Sequence, residues 1–402
     1  MSILLTNRMV SQTYKTLEPR RPAYLDCNAT TPVDPGVARV VRHFLEEEFG
    51  NAGSRTHEYG ATAKRAVNRA REQVAAVVNT DPNEVVFTSG ATESNNLAIL
   101  GLADWAAREG RRHLVSTAIE HKAVLEPLEE LVRRGFECTL LRPGPTGRVT
   151  AEAIARAVRP DTSIVSVMHM NNETGVIQPI EEIADRLAHH QCFLHVDAAQ
   201  GFGKDLAPLR HQRVDLISIS GHKIFGPKGV GALIARKRGF DRPPLAPLMF
   251  GGGQERRLRP GTISVPLVAG LGEASELALS RHKERHSACR EYRRALVAAL
   301  EGVPHEVNGD PEHTLVNTLN VSITGLDSEA AMVALKGLAA VSNGSACTSH
   351  SYSPSHVLEA MDLPGNRIAN ALRFSWCHET PQLDWGEFVR VLRSCAIGPK
   401  AG

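Results

Sequence analysis

The chain carries almost no net charge: 46 lysines and arginines stand against 44 aspartates and glutamates in 402 residues, a formal balance of +2. That excludes a strong global attraction for polyanions. Basic clusters such as "REYRR" (Arg290 to Arg294) and "ARKRGFDR" (Ala235 to Arg242) are offset by acidic residues elsewhere and read as solvated faces rather than a nucleic-acid interface. No apolar run approaches the length of a membrane span. The N-terminus lacks the basic start, long apolar centre and small-residue cleavage site of a secretory signal. The seven cysteines, Cys27, Cys138, Cys192, Cys289, Cys347, Cys377 and Cys395, are odd in number and scattered, and none belongs to a C-x-x-C pair. The expectation is a cytoplasmic protein in a reducing compartment, with one cysteine available for special chemistry. Repeats and low-complexity tracts are also missing.

What is present is ordinary globular material, 42% hydrophobic and 22% charged, in a chain long enough for two domains with a core. Strand-like runs alternate with helical patterns. "EVVF" (Glu84 to Phe87), "HLVST" (His113 to Thr117), "ECTLL" (Glu137 to Leu141), "SIVSVMHM" (Ser163 to Met170), "FLHVD" (Phe193 to Asp197) and "DLISIS" (Asp215 to Ser220) are the strands. Helices are expected over 94–108, 124–134, 151–158 and 180–190. Such alternation predicts an α/β fold with a mostly parallel sheet covered on both faces. After about residue 280 a long polar helix pattern (275–302), "TLNVSI", a helix near 328–338 and a closing strand–helix pair suggest a smaller α+β domain. The turn-rich "AYLDCNATTPVDP" runs back to join it. The division expected is a large domain over 33–280 and a small one from 1–32 with 281–402.

The segment "SGHKIFGPKG" (220–229) sets Lys223 in a loop between two buried strands, "DLISIS" and "GVGALIAR". A loop lysine is most often there for solubility. This one has company, because unusual polar groups recur where strands end, and open α/β sheets bind ligands beyond the carboxyl ends of their strands. "SGATESNN" follows a strand and opens a helix, so the amides of Gly90, Ala91 and Thr92 suit a phosphate, although a plain helix cap explains the motif equally well when it stands alone. "HVDAAQ" ends a strand on Asp197, which needs a cationic partner if buried. His121 in "AIEHKAV" and Asn171 with Asn172 in "MHMNNETG" follow two further strands. Each alone suits a structural cap or core hydrogen bond. Together they supply the parts of a pyridoxal phosphate site: Lys223 for the Schiff base, Asp197 for the pyridinium nitrogen, Thr92 with Ser220 and His222 for the phosphate, and His121 to stack on the ring. The competing reading of "HHQCFLHVD" (His189, His190, Cys192, His195) as a metal site fails on strand alternation, which sends Cys192 and His195 to opposite faces, so no metal is expected.

"YLDCNATTPVDP", "FTSGATESNNLAI", "EHKAVL", "MHMNNETGVIQPI", "HVDAAQ", "SGHKIFGPKGVGAL", "GGGQERRLRPGT" and "SNGSACTS" resemble, in order and spacing from about Tyr24 to Phe388, the cysteine desulfurases of the class V aminotransferase, fold type I group, in the subgroup with a long cysteine loop. The resemblance implies a pyridoxal 5'-phosphate-dependent homodimer that converts L-cysteine to alanine. Its large domain would bind the cofactor, and its small domain would carry the cysteine loop. Lys223 resembles the cofactor lysine and proton acceptor, Asp197 the pyridinium partner, Gln200 the donor to the phenolic oxygen, and His121 the stacking imidazole. Ala91, Thr92, Ser220 and His222 match phosphate positions, and Thr262 matches one that reaches across the dimer. Asn172 and Arg373 match the substrate side, the guanidinium gripping the amino-acid carboxylate. Cys347 matches the nucleophile that takes the substrate's sulfur as a persulfide for a protein acceptor. With the Lys223 amine facing solvent, its loss is expected to leave the fold intact.

Gln254, Pro260, Trp376 and Cys377 depart from the family pattern, which has histidine, serine, leucine and glycine there. Further differences are about twenty extra residues at the N-terminus and a short C-terminus. That short end suggests a dedicated acceptor, in sulfur modification of DNA or tRNA, over an acceptor in iron–sulfur cluster assembly. Direct nucleic-acid or membrane contact is not implied. Two other functions are consistent with the residues: a related lyase or aminotransferase for another amino acid such as selenocysteine, and a cofactor-free scaffold for a sulfur-handling complex, against which Lys223 and Asp197 argue.

Overall fold

A computed structural model describes residues 21–343 and 354–396. Its strands, in chain order, are β1 (Ala23–Tyr24), β2 (Val85–Thr88), β3 (His113–Thr117), β4 (Glu137–Leu141), β5 (Thr162–Met168), β6 (Phe193–Asp197), β7 (Leu216–Ser220), β8 (Gly231–Ala235), β9 (His305–Val307), β10 (Thr318–Ile323), β11 (Ala339–Ala340) and β12 (Ala371–Ser375). Seven of them form one sheet in the order β2-β8-β7-β6-β5-β3-β4. Only β8 runs against its neighbours, so the sheet is mostly parallel, as the alternation of elements predicts.

Strand periodicity explains how both faces are covered. Val85 and Phe87 enter one apolar cluster while Val86 enters the other, and Ile217 and Ile219 part from Leu216 in the same way. The first face packs on the helices Glu58–Val78 and Val265–Ser280, the second on Ala91–Leu100 and Lys122–Arg133. β5 to β8 are buried at every position, their polar residues Ser166, His195 and Ser218 being hydrogen-bonded to one another.

Two expected helices are each split in two, and those expected over 180–190 and near 328–338 end early, as Ile180–Arg186 and Ser328–Leu335. The helix expected over 94–108 is two, Ala91–Leu100 and Ala103–Arg108. The Gly101 carbonyl between them accepts from the Ala246 amide at 2.8 Å, which diverts it from helical bonding. The long pattern over 275–302 is also two helices, Val265–Ser280 and His282–Leu300, divided at Arg281. Arg281 and Arg285 both turn to the carboxylate of Asp34, at 3.8 Å and 3.2 Å.

A second core gathers Leu25, Tyr292, Leu296, Val321, Leu372, Phe374, Trp376 and Phe388 around the antiparallel sheet β12-β10-β9. β1 pairs in parallel with β11, and Asp26 forms a parallel bridge with Ser375, so the N-terminal segment lies against the C-terminal part of the chain. Among the described residues no helix is long and apolar enough to cross a membrane.

Candidate active site

The ends of β2, β5, β6 and β7 open into a cleft of about 410 Å³. Its walls include Ala91, Thr92, His121, Asn172, Asp197 and Gln200, with Ser220, His222, Lys223 and Arg373. The sequence assignments therefore converge on one space, with two exceptions. Thr262 is exposed and lines a neighbouring cavity with Glu255 and Arg259. Cys347 lies outside the described residues.

Lys223 closes a short 3-10 turn, Gly221–Lys223, directly after β7. Its Nζ donates to the carbonyls of Asn28 and of Ala29, the latter at 2.9 Å. The amine is thus partly buried against the N-terminal segment, which corrects the expectation that it faces solvent. The Asn28 carbonyl also accepts from Gln200 Nε2 at 2.8 Å, so lysine and glutamine share one anchor. Asn28 is itself fixed, donating through Nδ2 to Thr318 Oγ1 at 2.9 Å and to the Asn172 carbonyl at 3.1 Å.

Asp197 is the last residue of β6 and is buried. Its Oδ2 accepts from Asn95 Nδ2 at 2.7 Å and its Oδ1 from the Ala199 amide at 2.9 Å, which holds the carboxylate in one orientation. His195, two residues earlier on the same face, has Ser166 Oγ at 2.8 Å from Nδ1 and Ser218 Oγ at 2.9 Å from Nε2. Burial lowers its pKa to about 4, so the imidazole beneath Asp197 is neutral. Both its ring nitrogens are occupied, and among the described residues no cluster of three or more histidine, cysteine or acidic side chains suits a metal.

His121 caps the helix Lys122–Arg133, its Nδ1 accepting from the Ala123 amide at 3.0 Å. An accepting Nδ1 puts the ring proton on Nε2, and burial lowers the pKa, favouring the neutral ring. Across the cleft, Gly90 begins the helix Ala91–Leu100 at φ 154° with no side-chain cap, leaving its first-turn amides directed at the cleft. β8 must pass close beneath: a Cβ on Gly231 would meet the Ile219 carbonyl at 2.3 Å and Gly90 Cα at 2.7 Å. Ser220 and His222 complete this wall. Burial, then the charges of Lys223 and Lys228, push His222 down to about 4. Its Nδ1 lies 3.1 Å from Thr30 Oγ1.

Arg373, on β12, is fully buried. Its Nη2 bonds Asp26 Oδ1 and its Nη1 the Asn172 carbonyl at 3.1 Å, while Nε has no partner. Asn171, in contrast, is structural: its Oδ1 accepts from the amides of Glu173 and Thr174, each at 2.9 Å. Sequence reasoning missed Asn28, Asn95 and Asp26. Asn95 had a signal, standing one helical turn after Thr92 in a helix that opens the site. Asn28 acts through its carbonyl, which no side-chain pattern reveals. Of the departures from the family pattern, Gln254 accepts from the Gly261 amide at 2.8 Å, and buried Trp376 donates Nε1–H to the Cys289 carbonyl at 2.9 Å.

A lysine, a clamped aspartate, an uncapped helix start and a buried arginine at the strand ends define a fold type I site of the kind that holds a phosphorylated cofactor. The family described as aminotransferase class-V matches residues 23–385, and the chain belongs to it. Among its relatives, the cysteine desulfurase IscS of Methylobacillus flagellatus is 43% identical over 376 residues, covering 93% of this chain and 92% of the relative. Of solved structures, DndA from Streptomyces lividans is 50% identical with a TM-score of 0.78, covering 90% of this chain and 99% of that one. A structure of SspA in complex with cysteine is 36% identical with a TM-score of 0.78, covering 88% and 98%. The class-V family is pyridoxal phosphate-dependent. The residues here fit that group: the helix start offers free amides to a phosphate, and Asn95 Oδ1 and Arg373 Nε are buried polar atoms without partners.

Proposed function

We infer that this protein is a pyridoxal phosphate-dependent L-cysteine desulfurase that passes the substrate's sulfur to an acceptor protein. The observation that carries the reading is the joint presence, in one cleft, of Lys223 tied to Asn28 and of Asp197 clamped by Asn95. The first-turn amides of Ala91 and Thr92, with Ser220 and His222, would hold the phosphate. Asp197 would hold the ring nitrogen, and the neutral His121 would lie against the ring. When bound, the cofactor supplies an electron sink for the charge left at the substrate's α-carbon.

The remaining steps belong to the chain. Lys223 Nζ takes the α-proton, held in reach by the Asn28 and Ala29 carbonyls. Arg373, with Asn172 beside it, orients the substrate carboxylate; Asp26 keeps one edge of the guanidinium fixed while Nε stays available. The Cys347 thiolate then attacks the substrate's sulfur. A sulfur–sulfur bond forms on Cys347, the carbon–sulfur bond of the substrate breaks, and alanine leaves once its β-carbon has gained a proton.

The division of the chain at 33–280, with 1–32 and 281–402 forming a small domain, is part of this proposal. It is supported by the separate cores on which Leu271 and Leu296 lie. So is a homodimer: Thr262 is outside its own chain's cleft, and Phe250 in the adjoining loop is 90% exposed, as suits a segment covered by a second copy. A cytoplasmic setting accords with the free cysteines Cys27, Cys138, Cys192, Cys289, Cys377 and Cys395. The acceptor is assigned by parallel persulfide-transfer assays with an iron–sulfur scaffold protein and with enzymes that thiolate DNA or tRNA. Cofactor use is tested by colour: the purified protein, supplied with pyridoxal phosphate, should be yellow and bleach on borohydride treatment. A protein that stays colourless and unmodified would support a scaffold instead.

A further inference from the structure

Beside the cleft lies a second cavity, of about 60 Å³, that shares no lining residue with it. Ile224, Phe225, Val316 and Trp376 give it apolar walls, and Cys377, where the family pattern has glycine, lines it. Cys377 packs with Cys27 and Phe225 in one small buried cluster, and Cys27 does not line the cavity. Backbone pairing fixes the two cysteines together: Asp26 bridges Ser375, and the Cys27 amide donates to the Ser375 carbonyl at 2.9 Å.

The surroundings favour a thiolate on one sulfur of the two. Cys27 packed beside it, with a hydrogen bond from Thr380 Oγ1 at 3.6 Å, brings Cys377 down to about 6 against the opposing effect of burial. The neighbouring Cys377 and burial raise Cys27, which keeps its proton. Lys204, half-buried on the cavity wall and lowered to about 8 by desolvation, donates to Gln200 Oε1 at 3.2 Å and interacts electrostatically with Cys27, Cys289 and Cys377. Arg285 lies over Phe225, its guanidinium carbon 4.6 Å from the ring centre. The acidic groups that oppose these cations are Asp34, 3.2 Å from Arg285, and Glu379.

We propose that Cys377 and Cys27 form a peroxide-reactive thiol pair, with Cys377 on the cavity wall as the attacking thiol and Cys27 as its resolving partner. Hydrogen peroxide, of two heavy atoms, fits the cavity. The Cys377 sulfur attacks one peroxide oxygen, the O–O bond breaks, and hydroxide leaves and is protonated to water. The resulting sulfenic acid is attacked by the Cys27 sulfur. The S–S bond forms, the S–O bond breaks, and the second water leaves with the Cys27 proton. Two thiols are oxidised by two electrons and one peroxide is reduced to two waters. This chemistry is separate from that assigned to Cys347, and it uses neither the cofactor nor the substrate.

The test uses the full-length protein and peptide mapping, with no dependence on turnover. After limited hydrogen peroxide and alkylation, a Cys27–Cys377 linked peptide should appear and vanish on treatment with dithiothreitol. In Cys27→Ser the link should be lost and dimedone should trap a sulfenic acid on Cys377. The wild-type measurement stands even if that variant misfolds: recovery of both cysteines as free thiols from peroxide-treated folded protein overturns the proposal, as does a link from Cys377 to any other cysteine.

Discussion

Replacing Gly231 with alanine probes how the phosphate wall is built. The new Cβ would stand 2.3 Å from the Ile219 carbonyl and 2.7 Å from Gly90 Cα, whereas unstrained contacts there need more than 3 Å. Neither neighbour is a flexible side chain, so β8 and the Gly90 turn must part by up to about 1 Å, an overpacking cost of about 1–3 kcal/mol. For a chain this long, that lowers Tm by roughly 1–4 °C if it unfolds as one unit. The larger effect falls on binding. An ångström of displacement at the helix start removes one charge-assisted bond to the phosphate, at about 1.5–3 kcal/mol, so pyridoxal phosphate affinity should fall by about tenfold to 150-fold. Thermal unfolding of the apoprotein and a cofactor titration followed by absorbance give the two numbers. Wild-type cofactor affinity in a folded Gly231→Ala protein would refute the idea that the Gly90 helix start holds the phosphate.

Lys223→Ala should abolish the visible chromophore and all turnover in a protein that remains folded by circular dichroism; retained absorbance or activity removes the lysine from its role. It should also cost about 1–2 kcal/mol of stability in urea titrations, because two hydrogen bonds to Asn28 and Ala29 are lost. Cys347→Ser should bind cofactor and cysteine yet release sulfide slower by orders of magnitude, and a persulfide found by mass spectrometry on another cysteine would transfer the role. The summed contribution of two buried groups should be highest between about pH 4.5 and 6.5 and decline on either side of that window. His195 has its pKa lowered from 6.5 to about 4 by burial, so its contribution is full above 6.5 and is lost as pH falls towards 4. That is on the order of 3 kcal/mol. Glu120 has its pKa raised by burial from 4.5 to about 8, so its contribution is full below 4.5 and is lost as pH rises towards 8. Urea unfolding across this range should therefore show a decline between about pH 6.5 and 8 that Glu120→Gln reduces, and an unchanged decline in that variant contradicts the assignment.

Much of this was legible because side-chain identity and strand order carried it. Asp197, His121 and Lys223 each follow a recognisable apolar run, and a parallel sheet brings such run-ends to one edge. What escaped was set by the backbone and by chain crossings. The Asn28 carbonyl holds both Lys223 and Gln200 from 172 and more residues away, and nothing in "YLDCNATT" marks a carbonyl as an anchor. Gly101 broke an expected helix because the segment through Ala246 takes its carbonyl, a tertiary contact that helical periodicity does not report. Thr262, matched by motif alone, lies outside the cleft of its own chain, where only a second copy would give it the role expected.

The most direct measurement of the central claim is turnover of L-cysteine by the cofactor-loaded protein in the presence of dithiothreitol, with alanine and sulfide quantified together. The account predicts equal amounts of the two, with both lost in Lys223→Ala and sulfide lost in Cys347→Ser. Sulfide accompanied by pyruvate and ammonia in place of alanine, or no consumption of cysteine by yellow, folded protein, would contradict it.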